Sequence, residues 1–134
     1  MPAPTQRNVE VQLGVHFEEV VEMLNEIHTN DESTLFYLLQ ARKSMGRLAD
    51  FFKKGEVGSC ALRNPEAFLD SICDQIVTAT GCAHMLGYDV CGAMDEVNES
   101  NFSKFDESGA PIFDQSGKIV KGPNYRKPDL SPFV

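Results

Sequence analysis

Glu18, Glu19, Glu22 and Glu26 fall within nine residues of the stretch HFEEVVEMLNEIH, with no lysine or arginine among them. On a helical wheel Glu18, Glu22 and Glu26 stack one turn apart, and Glu19 sits beside Glu22. Each such like-charge pair costs roughly a few tenths of a kcal/mol on an isolated helix. A hard divalent cation such as Mg²⁺ takes carboxylate oxygens and would turn that repulsion into coordination. A plain solvated acidic face is the alternative, and this segment by itself leaves both open.

A second acidic pair lies further along the chain. Asp70 and Asp74 are one turn apart on one face of a helix whose other side is apolar, with Glu66 one turn earlier. Glu66 near the helix start complements the helix dipole; Asp70 and Asp74 lie too far in for that role. Two acidic faces on two helices of one bundle can converge on a metal ion. Weaker signals follow them. Asn98, Asn101 and Lys104 form a polar strip able to donate to a phosphate or a base, and Tyr125, Arg126 and Lys127 offer a cationic, aromatic clamp. Capping at a helix exit and tail packing are the plain readings of these two groups.

The elements that must position these residues are helices. Phe17, Val20, Val21, Leu24 and Ile27 recur at helical spacing over about His16 to His28. Thr29, Asn30, Asp31 and Ser33 then offer N-caps to a second helix from about Thr34 to Lys54, with Lys53, Lys54 and Gly55 suited to its C-terminus. A third helix opens at Pro65 and runs to about Leu86, carrying Phe68, Leu69, Ile72, Ile76, Ala79 and Ala83 as its apolar set. A fourth spans about Asp89 to Ser100. Short links between them predict an all-α four-helix bundle. From Asp106 onward Pro111, Pro123, Pro128 and Pro132 rule out a continuing helix. PIF and KIV around DQSG can pair as a small hairpin, and the rest reads as an extended tail. The expected organisation is a single domain over 1–134, with a helical core at about 16–105 and a tail at about 106–134.

The formal net charge of −8 excludes a general nucleic-acid-binding surface, because phosphate contacts need clustered lysine and arginine. If the ligand is anionic, a cation must mediate. Cys60, Cys73, Cys82 and Cys91 contain no CxxC pair, so buried free thiols are expected rather than a zinc site or disulfides. The first residues lack the pattern of a secretory signal, and no apolar run reaches the ~20 residues that span a bilayer. A cytosolic, reducing compartment and no membrane partner are the expectation. There is no GxxxxGK[ST] phosphate loop, GxSxG elbow, HExxH or Glu-x-x-His pair.

Together these residues resemble the MazG-like all-α nucleoside triphosphate pyrophosphohydrolases, the superfamily that includes phosphoribosyl-ATP pyrophosphatase. Its signature is EExxE on one helix and ExxD on a later one. EEVVE at 18–22 matches the first half. In the second half Ser71 stands three residues before Asp74, where the family carries glutamate, and the acid is displaced to Asp70 in LDSICD. VNESNFSKF and GKIVKGPNYRKPDL are similar to short bacterial and phage members, so the resemblance spans nearly the whole chain.

The resemblance implies Mg²⁺, with Mn²⁺ able to substitute, held by Glu19, Glu22, Asp70 and Asp74. It implies a water oriented or deprotonated by Glu18 or Glu19. Asn98, Asn101 and Lys104 would face the nucleotide, joined by Tyr125 and Lys127 of the clamp. The implied reaction converts a (d)NTP to (d)NMP and pyrophosphate, with the purine deoxynucleotide dGTP as first substrate to test. The implied assembly is an obligate homo-oligomer, dimer or tetramer, in the cytoplasm of a bacterium or a phage-infected host. Two alternatives stand beside it: phosphoribosyl-ATP pyrophosphohydrolysis, and a non-catalytic acidic helical interaction module.

Overall fold

A computed structural model describes residues 4–58, 60–113 and 119–134. Its helices are α1 (Gln6–Asn25), α2 (Glu32–Lys54), α3 (Pro65–Met85) and α4 (Val90–Phe102), followed by a 3-10 turn at Ser131–Phe133. The protein is therefore all-α with a non-helical C-terminal tail. Its contacts divide it into two compact units, Met1–Leu62 and Arg63–Val134.

Each helix begins on a short polar side chain that accepts from an otherwise unsatisfied amide. Asp31 Oδ2 accepts from Thr34 N at 2.6 Å, Asn64 from Ala67 N, and Asp89 from Gly92 N. The Thr34 hydroxyl, and after it the Thr34 amide, holds the Asp31 carboxyl below its ordinary range. Helix α2 ends where Gly55 turns left-handed at φ 76°, a conformation glycine adopts without steric cost.

The start of α1 differs from expectation by ten residues. The helix begins at Gln6 rather than about His16, so the helical core opens before residue 16. Thr5 and Asn8 form a reciprocal cap in which the Thr5 side chain receives the Asn8 amide and Asn8 Oδ1 receives the Thr5 amide. Asparagine in place of the usual glutamate or glutamine, and Gly14 in mid-helix, hide this signal in the sequence.

In the first unit α1 and α2 form an antiparallel hairpin. Two arginines close it reciprocally. Arg7, near the start of α1, donates to Phe52 O at 2.8 Å and to Lys53 O at the end of α2. Arg42, within α2, donates to Leu24 O and to Ile27 O at the end of α1. Each cation thus meets the negative end of the opposite helix and adds a donor to its last carbonyls, of which Phe52 O and Leu24 O also accept an amide from three residues on. Replacing Arg42 by glutamine is expected to lower the unfolding free energy by about 1–2 kcal/mol, read from urea melts. An unchanged midpoint would mean that water serves these carbonyls equally well.

The hairpin's centre is built on a glycine. Gly14 is buried, and a Cβ there would stand 2.8 Å from Ala49 O and 2.9 Å from Lys53 N. Ala49 (2% exposed) and Phe52 (8%) form the hydrophobic core at this crossing, and the Phe17 ring meets Phe52 edge-on at 5.7 Å.

In the second unit α3 packs against α4, and the C-terminal 3-10 turn packs against α4 from the tail. Helix α3 buries none of its residues: Leu69 is 63% exposed and Ile76 65%. Phe68, Leu69, Ile76 and Ala79 of the expected apolar set are therefore open, since α4 is the helix of its own unit that α3 packs against. For the same reason Cys73 and Cys82 are exposed, as are Cys60 and Cys91. The expectation of buried thiols is corrected, and all four are free.

The tail carries two antiparallel bridges, Phe105 with Pro111 and Phe113 with Ile119. The second sits where PIF and KIV were expected to pair, and Val120 N donates to Ile112 O at 2.8 Å. The turn at 114–118 of that expected hairpin lies outside the described residues.

Candidate functional site

The acidic cluster of α1 divides by its surroundings. Glu18 lies one turn from Gly14, on the line that meets α2. There Lys53 Nζ donates to Glu18 Oε1 at 2.6 Å, and Glu18 as its main partner raises the Lys53 pKa above the ordinary lysine range. The counter-charge that α1 lacks comes from α2. Glu18 thereby ties α1 to α2 in the hairpin. Glu19 and Glu22 are exposed, and among the described residues neither stands in an ion pair. Glu26 is exposed beyond the last turn, as the C-cap.

Asp70 and Asp74 belong to the second unit. Both are exposed on α3 and, among the described residues, neither has an ion-pair partner. Among the described residues no three His, Cys, Asp or Glu side chains stand together as a group able to hold a metal ion. The acids are available as two separate pairs of hard oxygen donors.

The second polar group is partly assembled. Lys104 Nζ donates to Asn101 Oδ1 at 2.8 Å at the exit of α4, while Asn98 is exposed one turn earlier. Tyr125 is half-buried, with Lys121 Nζ 4.5 Å from its ring centroid. Lys127 is exposed. Arg126, expected in the clamp, is instead committed to α4: its guanidinium takes Glu96 at 2.6 Å and Glu99 at 2.7 Å.

That commitment is part of a strap. Buried Ser100 donates its hydroxyl to Arg126 O at 2.8 Å, Arg126 N donates to Ser103 Oγ at 2.9 Å, and Asp129 N donates to Glu96 Oε1 at 2.9 Å. Asp89 N then donates to Phe133 O at 2.9 Å. The tail from Arg126 to Phe133 therefore runs back along α4 from its exit to its start. Sequence reading missed the strap because Glu96, Glu99 and Ser100 look like an ordinary solvated face. Their spacing is a weak sign, acids at i and i+3 with a serine beside them, and only the returning tail gives it meaning.

The Arg126 hydrogen bond is the main cause holding the Glu96 carboxyl below the ordinary glutamate range, and the Asp129 amide adds to it. A depressed carboxylate contributes its stabilisation above the unfolded-state value and loses it as pH falls through the folded-state value. The protection of the amides over 126–133, measured against their intrinsic exchange rate at each pH, is therefore expected to fall once the pH drops below the ordinary glutamate range. In Arg126→Ala the same amides should exchange fast already at neutral pH, with the acid step gone. An acid step that persists in this variant would assign it to other carboxylates.

Compared with family models, with curated proteins and with solved structures, the chain matches none. No helix among the described residues is long and apolar enough to cross a membrane.

Proposed function

We propose that this protein is a Mg²⁺-dependent nucleoside triphosphate pyrophosphohydrolase, releasing pyrophosphate and a (d)NMP from a (d)NTP. The observation that carries the reading is the exposed, ion-pair-free state of Glu19 and Glu22 on α1 and of Asp70 and Asp74 on α3 in the described residues. Four hard oxygen donors left without cations are the chemistry Mg²⁺ requires. The EExxE motif and the Asp70/Asp74 pair carry the MazG-like resemblance on the same residues. When bound, the metal supplies charge neutralisation for the phosphate chain.

The residues of the chain have distinct tasks in this reading. Glu19 and Glu22 in the first unit, and Asp70 and Asp74 in the second, supply the carboxylate ligands for cation binding. Glu19 orients or deprotonates the attacking water, and Glu18, tied by Lys53, fixes the rotation of α1 on α2. Lys104 and Asn101, with Asn98, face the nucleotide, and Tyr125 and Lys127 close on it from the tail. Homo-oligomerisation belongs to the same reading: exposed Leu69, Ile76 and Val77 on α3 form an apolar surface that a dimer or tetramer would cover.

The deciding assay incubates the protein with each of the common NTPs and dNTPs, dGTP first, and with phosphoribosyl-ATP, in millimolar Mg²⁺. Monophosphate and pyrophosphate are the expected products, with the (d)NTPs preferred. Orthophosphate as sole product would overturn the reading. The exposed α3 face also favours a second reading, a non-catalytic helical interaction module. A thermal-shift titration separates the two: Mg²⁺ or Mn²⁺ at a hundred times its dissociation constant stabilises a protein that binds it by about 2.7 kcal/mol, and a mere acidic module not at all.

A further inference from the structure

The tail from Gly122 to Phe133 is held differently at its ends and in its middle. A Cβ on Gly92 would lie 2.6 Å from Phe133 Cε1 and 2.8 Å from Phe133 Cδ1, so the Phe133 ring lies directly on the first turn of α4. Beside it Asp89 N donates to Phe133 O at 2.9 Å. At the other end a Cβ on Gly122 would lie 2.9 Å from Lys104 O, so the chain rests there on the backbone at the exit of α4. Next to that contact Val120 N donates to Ile112 O at 2.8 Å. Each seat is a close approach that a glycine admits and a side chain would block. Among the described residues no ion pair contributes to either.

Between the seats the contacts to α4 are polar. Arg126 takes Glu96 and Glu99 through its guanidinium and Ser100 and Ser103 through its backbone, while Asp129 N donates to Glu96 Oε1. Pro123, Asn124, Arg126, Lys127 and Asp129 are exposed, so this stretch buries little apolar surface. Pro123 and Pro128 bring no backbone N–H and add no hydrogen bond of their own. The Arg126 side chain is 46% exposed and that of Glu99 72%. Ion pairs this open to water are screened by salt, whereas close packing on a glycine is not.

We propose that residues 123–129 form a flap on α4, hinged at the Gly122 and Phe133 seats and latched by Arg126. Opening breaks the Arg126 and Asp129 bonds together, uncovers buried Ser100 and returns the Glu96 and Glu99 carboxylates to solvent, while both seats stay in place. Phe133 and Gly122 are positioning residues: they fix where the flap lands when it closes. That the flap carries Tyr125 and Lys127 toward or away from a nucleotide rests on the hydrolase reading; the hinged motion itself does not.

The test is residue-resolved amide hydrogen exchange of the full chain, with protection measured against the intrinsic rate at each salt concentration. Between low salt and roughly 1 M sodium chloride the Arg126 and Asp129 amides should lose about tenfold in protection, as the latch is screened. The Asp89 and Val120 amides, which report the two seats, should keep theirs. Arg126→Ala should release the Asp129 amide already at low salt and leave the same two amides protected. Phe133→Ala should instead release the Asp89 amide, and Gly122→Ala the Val120 amide. Gly92→Ala, which fills the Phe133 seat from the α4 side, should repeat the Phe133→Ala result, and circular dichroism of each variant shows that its helices are kept. Salt that strips protection from all four amides together would overturn the proposal in favour of one cooperative strap. Arg126 and Asp129 amides that stay protected in salt would overturn it as well. Exchange requires no nucleotide, so these outcomes stand apart from the assay of turnover.

Discussion

Gly14→Ala is expected to destabilise the protein by about 1–3 kcal/mol, although alanine is the better helix former by roughly 1 kcal/mol. The added methyl would meet Ala49 O at 2.8 Å and Lys53 N at 2.9 Å, and both are backbone atoms of a packed helix. Side chains could turn aside, but a helix backbone cannot. Relief must come from moving α1 away from α2, which lengthens the Arg7 and Arg42 caps at both ends of the hairpin. Gly46→Ala and Gly81→Ala supply the contrast, for a Cβ at either meets nothing within 4 Å. Both are expected to stabilise by about 0.5–1 kcal/mol through helix propensity alone. Urea melts of the three variants should therefore differ in sign. Stabilisation by Gly14→Ala would show that the helices are not held as closely as described.

For Glu22→Gln, activity and stability are expected to move in opposite directions. The substitution keeps the size of the side chain and removes one anionic oxygen donor. In the hydrolase reading kcat/KM should fall at least about a hundredfold, the scale seen when a group that stabilises developing charge is lost. Stabilisation by Mg²⁺ should fall with it. Without Mg²⁺, the same variant should be unchanged or more stable by a few tenths of about 1 kcal/mol, because the repulsion between Glu19, Glu22 and Glu26 is reduced. Glu18→Gln should show the reverse pattern in its stability, losing about 0.5 kcal/mol as the Lys53 pair weakens. Glu26→Gln should match wild type in turnover. Full activity in Glu22→Gln would remove the proposed role of the EExxE acids.

The two halves of EExxE were equal in the sequence and are unequal in the fold. Apolar periodicity, N-cap residues and the Lys53-Lys54-Gly55 stop are local features, and they located α2, α3 and α4 to within about two residues. Local chemistry also made the acids visible, since spacing on one helix requires no partner to read. It did not separate Glu18 from Glu19, because that difference depends on which side of α1 meets Lys53, thirty-five residues away. The start of α1 was missed for a related reason: Gly14 looks like a helix weakener until Ala49 is seen against it. Arg126 was read as free to bind a ligand, and the fold turns it to Glu96 and Glu99.

Residue types and their spacing were enough to establish an all-helical chain, a non-helical tail after the fourth helix, and acidic pairs on α1 and α3. These follow from backbone preferences and side-chain periodicity that act within one turn or one cap. Which lysine neutralises which glutamate, which glycine admits a neighbouring backbone, and how the tail seats Gly122 against the exit of α4 were settled by the folded contacts. Such pairings join residues far apart in the chain, and their energies depend on distances of a few ångströms that no local pattern encodes.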